Sequence, residues 1–495
     1  MFLGVDVGTF ETKGVLVDID GRVVSSSRRR HGISTPEPGQ VEQDPEVVWW
    51  ADVCEVASEL IDSAPGARID GVGVSAIGPC VVAVDEALAP LRPAILYGVD
   101  SRASEQVVAL TERLGESTIF ERTGNLLTSQ SAGPKIEWLR QVEHEVWKHA
   151  RWFTTSQSWI VAKLTGRMVI DHGTAGYFHP LYDLKAQRWD VSGCEDFIDE
   201  ARLPRIAWAA EIAGRVTPDA AEATRIPVGT PVIVGTTDAP AEAVGSGVVD
   251  DGTLMAMYGS SGYFIRVGDE PIMSRNLWAA PFAFAGSYVL AAGTSTAGTS
   301  TRWIADLLGV TDPEDSVTFS TLLDLAGASE PGARGVLVLP HFAGERTPFQ
   351  DPSSRGAVIG LGLQHTRADV ARAVLEGVGH SVAEAILTYK SENIPISRVI
   401  AVGGATKNLY IVGTVSSITG LDQEMPGTRG ACYGDAFLAA LGVGAVPGPQ
   451  AISSWLGPGP VVGPDAASVA RLRTDHRDYL DLYRALERLN HRRSQ

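Results

Sequence analysis

The sequence predicts an α/β protein of two large domains, built from a duplicated strand–turn–strand unit. Three observations carry this. The chain has 495 residues, whereas a single hydrophobic core stops growing beyond about 250–300 residues. Its first hundred residues read as a strand meander followed by helix and strand, an α/β order. A strand, a turn of glycine and hydroxyl residues and a second strand occur at residues 2–18 and again at 253–267, as if two copies of one unit faced a shared cleft.

Residues 2–6 are apolar and β-prone and end at Asp6-Val-Gly-Thr9. Strands over 14–18 and 23–27 are joined by Asp20-Gly21, a hairpin signal. Asp44 caps a helix with Pro45 in its first turn, and its apolar face is Trp50, Val53, Cys54, Ala57, Leu60 and Ile61. Strands follow at 69–74 and 81–84. Residues 104–210 read as helices and loops, an insertion covering one side of the cleft. Residues 231–234 return to the sheet as a strand that runs on to Asp238 and a short helix. After the repeat come a strand at 335–339, a helix from Arg367 to about Lys390 capped by Thr366, a strand at 398–402 and a helix closing at Gly420. A last core helix starts near Gly430. The Pro/Gly-rich 446–464 stretch reads as a linker to a terminal helix with the stripe Leu472, Tyr479, Tyr483, Leu486 and Leu489.

Composition narrows the function by exclusion. A net charge of −18 argues against nucleic acid or an anionic membrane as partner, since both select cationic surface. Cys54, Cys80, Cys194 and Cys432 lie far apart without metal-ligand spacing, so reduced thiols and no zinc site are expected. No secretory leader pattern opens the sequence and no apolar run approaches the ~18 residues of a membrane span, so the cytoplasm is the expected location.

Several residues carry chemistry. Asp6-x-Gly8-Thr9 with Thr12 and Lys13 suits phosphate: glycine admits the oxygens, the threonines offer hydroxyls, the lysine offers charge, and Asp6 would hold magnesium through water. The plainer alternative is a glycine turn with a surface lysine, which the second turn at 259–262 disfavours. Asp238 follows an apolar strand and precedes a helix. On local pattern it is more simply a helix cap, and otherwise a general base for an attacking hydroxyl. Gly403-Gly404 would let a planar ring or phosphate approach the backbone, although the dinucleotide spacing is absent. No Walker A motif, Gly-x-Ser-x-Gly elbow or His-Glu-x-x-His occurs.

Gly356-Ala-Val-Ile-Gly-Leu361, then seven residues to Asp369-Val, then Ala373-Val-Leu-Glu376, reproduces a signature of the FGGY carbohydrate kinases. The chain resembles this group, which includes xylulokinase, ribulokinase and glycerol kinase, over nearly its whole length. Asp6-Val-Gly-Thr9 resembles the family's first phosphate motif, and Gly259, Ser260, Ser261 and Gly262 its second. Residues 293–303, with Gly298 and Thr299, and Gly403, Gly404, Ala405 and Asn408 resemble its adenosine-side motifs. The Asp238 stretch is similar to the catalytic-aspartate segment, and Pro93-Ala-Ile-Leu-Tyr97 to the segment leading to the sugar site.

The resemblance implies two actin-like (ribonuclease H-like) domains with a cleft between them. Residues 1–245 would bind sugar and carry the catalytic aspartate; 246–495 would bind nucleotide and include a terminal helix over 465–492. It also implies ATP and Mg2+ as cofactors, Asp6 and Asp238 as metal-side residues, and in-line γ-phosphoryl transfer with Asp238 as general base.

Departures fall on the pocket wall. Ile77-Gly78-Pro79-Cys80 stands where common bacterial xylulokinases carry Gln-Met-His-Gly, and the Arg-Glu of glycerol kinases is absent. The usual Trp-x-Asp-x-Arg has become Tyr97-Gly-Val-Asp100-Ser-Arg102. Gln130 replaces the tyrosine that glycerol kinases place before Gly133-x-Lys135; away from that wall, in the helix after Asn408 on the adenosine side, Gly413 and Ser417 replace the usual Gln and Asp. The expected substrate is a small sugar or polyol, a ketopentose or sugar alcohol, contacted by Ile77, Gly78, Pro79, Tyr97, Asp100, Arg102 and Gln130. A homodimer is the candidate assembly. The competing readings are a non-catalytic nucleotide-dependent switch on an actin-like fold, which need not keep Asp238, and a kinase of a signalling sugar.

Overall fold

A computed structural model of the protein describes residues 1–310, 316–427 and 430–493. The chain forms two compact units, neither continuous in sequence. The first comprises Met1–Asp251, Val267–Leu290 and, from 430, the chain to Gly457; the second comprises Gly252–Arg266, Ala291–Gly427 and the chain from Pro458.

In the first unit, β1 (Phe2–Val7), β2 (Glu11–Val17) and β3 (Val23–Arg30) form an antiparallel meander. Every residue of β1 is buried, as in a strand covered on both faces, whereas β3 alternates half-buried and exposed residues and ends in three arginines that suit a sheet edge. Asp44 Oδ1 accepts from the Glu46 and Val47 N–H groups and starts a π-helical stretch, Pro45–Trp50, that continues as α1 (Ala51–Ser63). Val53, Ala57 and Leu60 of the expected apolar face are buried, joined by Trp49. β4 (Gly71–Ala76), β5 (Ile212–Arg215), β6 (Pro231–Ile233) and β7 (Thr236–Thr237) complete the sheet. Its order is β5-β6-β4-β1-β2-β3, with β7 also on β4. β1, β6 and β7 each run parallel to β4.

The expected unbroken strand to Asp238 is interrupted at Gly235. This residue has φ +72° and lies so close to β4 that an added Cβ would sit 2.0 Å from Val74 O. Helix α2 (Asp238–Gly245) follows. The 104–210 insertion is not purely helical: Trp152–Thr154 pairs with Val82–Val84, around a separate core that includes Ile136, Phe153, Phe178 and Trp189.

The second unit opens with β8 (Thr253–Tyr258) and β9 (Gly262–Gly268), followed by β10 (Tyr288–Thr294), whose last residues belong to it, and α3 (Gly298–Leu307). α4 (Arg367–Ser391) begins where Asp369 accepts from the Thr366 N–H and hydroxyl. β11 (Arg398–Val402), α5 (Leu409–Thr419) and β12 (Gln423–Glu424) come next. The strand order β10-β9-β8-β11-β12, with β8 antiparallel to β9 and parallel to β11, repeats β3-β2-β1-β4-β6 of the first unit. The weak sequence repeat is thus a repeat of topology.

The chain then returns to the first unit as α6 (Ala431–Gly442), against α2, β1 and β4. Backbones meet there: a Cβ on Gly4 would lie 1.9 Å from Cys432 O, and one on Gly434 1.9 Å from Ala241 O. Because α6 completes that core, the compact units differ from the continuous halves 1–245 and 246–495. The expected linker contributes Ile452–Trp455, with Trp455 buried. On the terminal helix, Val469–Arg493, Leu472, Tyr479 and Tyr483 are buried, but Leu489 is 41% exposed, so the apolar stripe stops short of it.

Candidate active site

In the first unit, the turn between β1 and β2 directs its carbonyls inward. Gly8 O accepts from His31 Nε2 at 2.9 Å, Thr9 O from Gln43 Nε2 at 2.8 Å and Phe10 O from the His31 N–H at 3.0 Å. His31 Nδ1 meets Asp52 Oδ2 at 2.7 Å. With the carbonyls taken, the Thr9 and Phe10 N–H groups have no acceptor among the described residues and are available to an anion. Thr9 Oγ1 shares a hydrogen bond with Tyr97 OH at 3.1 Å. Thr12, expected on phosphate, is fully buried and donates to Asp52 Oδ2 at 2.9 Å, because alternation along β2 turns it away from Lys13.

Strand register gathers the acids. Lys13, Asp6, Ser75 and Thr236 form one row across β2, β1, β4 and β7, and Asp238 lies two residues beyond it. Thr237 occupies the cap position of α2. Asp238 is the first helical residue, half-buried, with Oδ1 accepting from Ala239 N at 2.8 Å. Its Oδ2 has no partner among the described residues.

Burial raises the pKa of Asp238, and burial together with the charge of Asp238 raises that of Asp6; the Lys13 ammonium opposes both shifts. Glu242, one turn along α2, is pushed up to about 7 by burial and then by Asp238. Ser75 Oγ lies 3.0 Å from Asp6 Oδ1 and 2.6 Å from Asp435 Oδ2. Asp435, on α6, is fully buried, its Oδ1 has no partner among the described residues, and burial holds its carboxyl well above the ordinary range. Ser75, Glu242 and Asp435 were not anticipated; the i+4 spacing from Asp238 could have found Glu242. Among the described residues no three ligating side chains group into a metal site. Two hard carboxylates whose burial and mutual repulsion a cation would relieve suit magnesium, which keeps several waters and takes few protein ligands.

The expected sugar wall is only partly available. Ile77 and Pro79 are buried, leaving half-exposed Gly78 beside Thr237. Asp100 has no exposure: it accepts from Val41 N at 2.6 Å and holds Arg102, which also donates to Glu42 at 2.7 Å and packs over Trp138. This closed pair braces the loop and cannot orient substrate hydroxyls as expected. Lys135 Nζ donates to Leu96 O and Tyr97 O, and burial lowers its pKa to about 8. Half-buried Tyr97 and Gln130 remain, the latter accepting from Gly98 N at 3.2 Å.

In the second unit the 259–262 turn repeats the inward-carbonyl arrangement. Gly259 O accepts from Gly298 N at 2.9 Å, and Ser260 O from Ala297 N, Thr299 N and Thr299 Oγ1. The Ser260 and Ser261 N–H groups have no acceptor among the described residues. Beside the turn lies a cavity of about 460 Å³, a size suited to a small organic ligand. Gly259, Ser260, Gly298, Gly404 and Ala405 line it as expected; Gly403, Thr299, Ser261 and Gly262 do not. Asn408 is fully buried and caps α5 through Tyr410 N and Ile411 N, so it stands behind the site. Thr301, Arg302 and Ala305 were missed, although they fall on one face of α3 at helical spacing from Gly298.

The chain matches the FGGY family of carbohydrate kinases, N-terminal domain, over residues 1–245 and the C-terminal domain over 254–443. It is 28% identical to a xylulose kinase of Staphylococcus xylosus, covering 89% of this chain and 90% of that one. It is 26% identical to a gluconokinase of Bacillus subtilis (strain 168), covering 98% and 96%. Its fold is similar to a crystal structure of xylulose kinase from Rhodospirillum rubrum, with TM-score 0.91, 28% identity and 99% of each chain covered.

Proposed function

The chain belongs to the FGGY family of carbohydrate kinases, and from that premise we propose that Asp238 is the general base for the acceptor hydroxyl. The protein is an ATP-dependent sugar kinase with two actin-like (ribonuclease H-like) domains. The observation that carries the assignment is Asp238 itself: half-buried, held by Ala239 N through one oxygen, with no partner for the other among the described residues, and within reach of the charges of Asp6 and Lys13. The acceptor O–H would lose its proton to Asp238, its oxygen would bond to the γ-phosphorus, and the bond to the β-bridging oxygen would break to release ADP. The Thr9 and Phe10 N–H groups with Lys13 would receive phosphoryl oxygens. The Ser260 and Ser261 N–H groups and the adjoining cavity would serve the nucleotide. Asp6 and Asp238 would hold magnesium, which when bound neutralises charge on phosphoryl oxygens.

For substrate we infer a small neutral sugar or polyol, first a ketopentose or sugar alcohol. Arg102 is 2% exposed at its side chain and engaged by Asp100 and Glu42, so it is not free to meet a sugar acid. The nucleotide-switch reading is not favoured, since the relatives are sugar kinases by name. No helix among the described residues is long and apolar enough to cross a membrane; a cytoplasmic location is part of the proposal. A coupled ADP-release screen over pentuloses, tetritols, pentitols, glycerol and sugar acids tests the substrate class. Asp238→Asn should keep ATP binding and lose turnover; near-normal phosphorylation by that variant would remove Asp238 from the mechanism.

A further inference from the structure

Behind the 259–262 turn runs a segment that the proposed chemistry leaves unused. Arg346 Nη2 donates to Gly262 O at 3.2 Å and to Thr294 O, joining the start of β9 to the end of β10. Its guanidinium fits only because residue 293 is glycine, since a Cβ there would lie 2.9 Å from Arg346 Cζ. Glu345 is 2% exposed and orients the arginine: Oε1 accepts from Ser295 N at 2.7 Å and Arg346 N at 2.8 Å, and Oε2 from Ser381 Oγ at 2.6 Å. Thr347 adds a two-way link, its N–H to Gly293 O at 2.9 Å and its Oγ1 from Gly293 N at 3.3 Å.

Every carbonyl of the turn is therefore occupied. Gly259 O and Ser260 O are taken by the start of α3, Ser261 O by Gly259 N, and Gly262 O by Arg346. Turning the carbonyls inward leaves the Ser260 and Ser261 N–H groups facing out, and a permanent cation behind the turn favours an anion in front. An arginine suits this position because its planar guanidinium packs against Gly293 while Nη2 alone reaches both carbonyls; a lysine would keep the charge without that planar fit.

We propose that Arg346, oriented by Glu345, is the positioning residue that holds the 259–262 turn in its anion-receiving shape. The proposal rests on reading that turn as a nucleotide-phosphate site. Arg346→Met should raise the KM for ATP about tenfold, the loss of a hydrogen bond to a charged group, while the KM for sugar stays within about twofold. Arg346→Lys should recover only part of the loss. Gly293→Ala keeps the arginine but displaces its guanidinium, so it should reproduce the ATP defect and serves if Arg346→Met does not fold.

Hydrogen exchange of peptides spanning 258–263 separates the proposal from its premise. In the unchanged protein a non-hydrolysable ATP analogue should protect these amides, and in Arg346→Met it should not. No protection in the unchanged protein removes the turn's assignment and the proposal with it. Full protection in Arg346→Met, or an equal rise of both KM values with a lowered Tm, leaves the premise standing and reduces Arg346 to a strand brace.

Discussion

The turns at residues 8–11 and 259–262 have the same topology around them, yet they are held by different means. Each turns its carbonyls inward and leaves two successive N–H groups outward. In the first, the inward partners are side chains from distant sequence: His31 and Gln43, with Asp52 behind the histidine. In the second, the start of α3 does most of the holding, with Arg346 at one end. The surroundings diverge further. The first turn joins the two strands that pair Asp6 with Lys13, whose charges act together with Asp238, whereas the second borders a cavity of about 460 Å³ lined by Thr301, Arg302 and Leu322. One architecture has thus been used twice, and on the proposed reading the first copy would serve proton and charge chemistry while the second would receive the nucleotide.

That division predicts very unequal costs for removing one functional group from each copy. Asp238→Asn should lower turnover by about 10²–10⁴, the usual contribution of a general base. Ser261→Ala should cost less than about tenfold, because the N–H groups that face outward are kept. Steady-state kinetics with saturating sugar checks both. Comparable losses from the two substitutions would mean that the copies share the chemistry.

The manner of holding can be broken separately. Gln43 is 2% exposed; its Nε2 serves Thr9 O and Gly32 O, and its Oε1 accepts from Trp49 Nε1 at 2.8 Å. Gln43→Leu leaves Trp49 Nε1 unpaired in the interior and gives up the bonds to the half-buried Thr9 and exposed Gly32 carbonyls, and should destabilise the protein by about 1–3 kcal/mol. Urea unfolding followed by tryptophan fluorescence measures this, and an unchanged midpoint would show that the first turn does not depend on its side-chain partners.

The sequence made the copies recognisable but not their differences. β8 and β11 are found at their expected residues, and the hairpin at Asp20-Gly21 joins β2 to β3, because each depends on local pattern alone. The closed Asp100–Arg102 pair, buried Thr12 and the capping role of Asn408 were not legible. A motif names residues near a site, and alternation shows that two neighbours oppose each other; neither says which one meets the ligand and which meets an aspartate behind it. Asp435 was further from reach, since its partner Ser75 lies 360 positions away in sequence. The register row through Asp6 supplies that contact only once the sheet is assembled.

The acid cluster of the first copy also predicts a pH dependence. Burial raises Glu242 from 4.5 to about 7. A carboxyl with a raised folded-state pKa stabilises the fold below its unfolded value and loses that contribution as pH rises to the folded value, here between 4.5 and about 7. In magnesium-free buffer, Glu242→Gln should gain stability over the unchanged protein by about 1–3 kcal/mol across this window, then level off. Paired thermal melts at stepped pH measure the difference, and a flat difference would place Glu242 outside the cluster.

The smallest effect sharpens the comparison most finely. Thr12 belongs to the same motif as Thr9, but its hydroxyl is committed to Asp52, which in turn meets His31 behind the turn. Thr12→Val keeps the shape, removes one hydrogen bond and leaves the His31–Asp52 contact in place. It should cost about 1 kcal/mol of stability, while kcat and the KM for ATP stay within about twofold. Were Thr12 a phosphate ligand, the same change would raise the KM for ATP about tenfold with little loss of stability. The ratio of those two responses therefore tells whether this hydroxyl faces the ligand or supports the turn from behind.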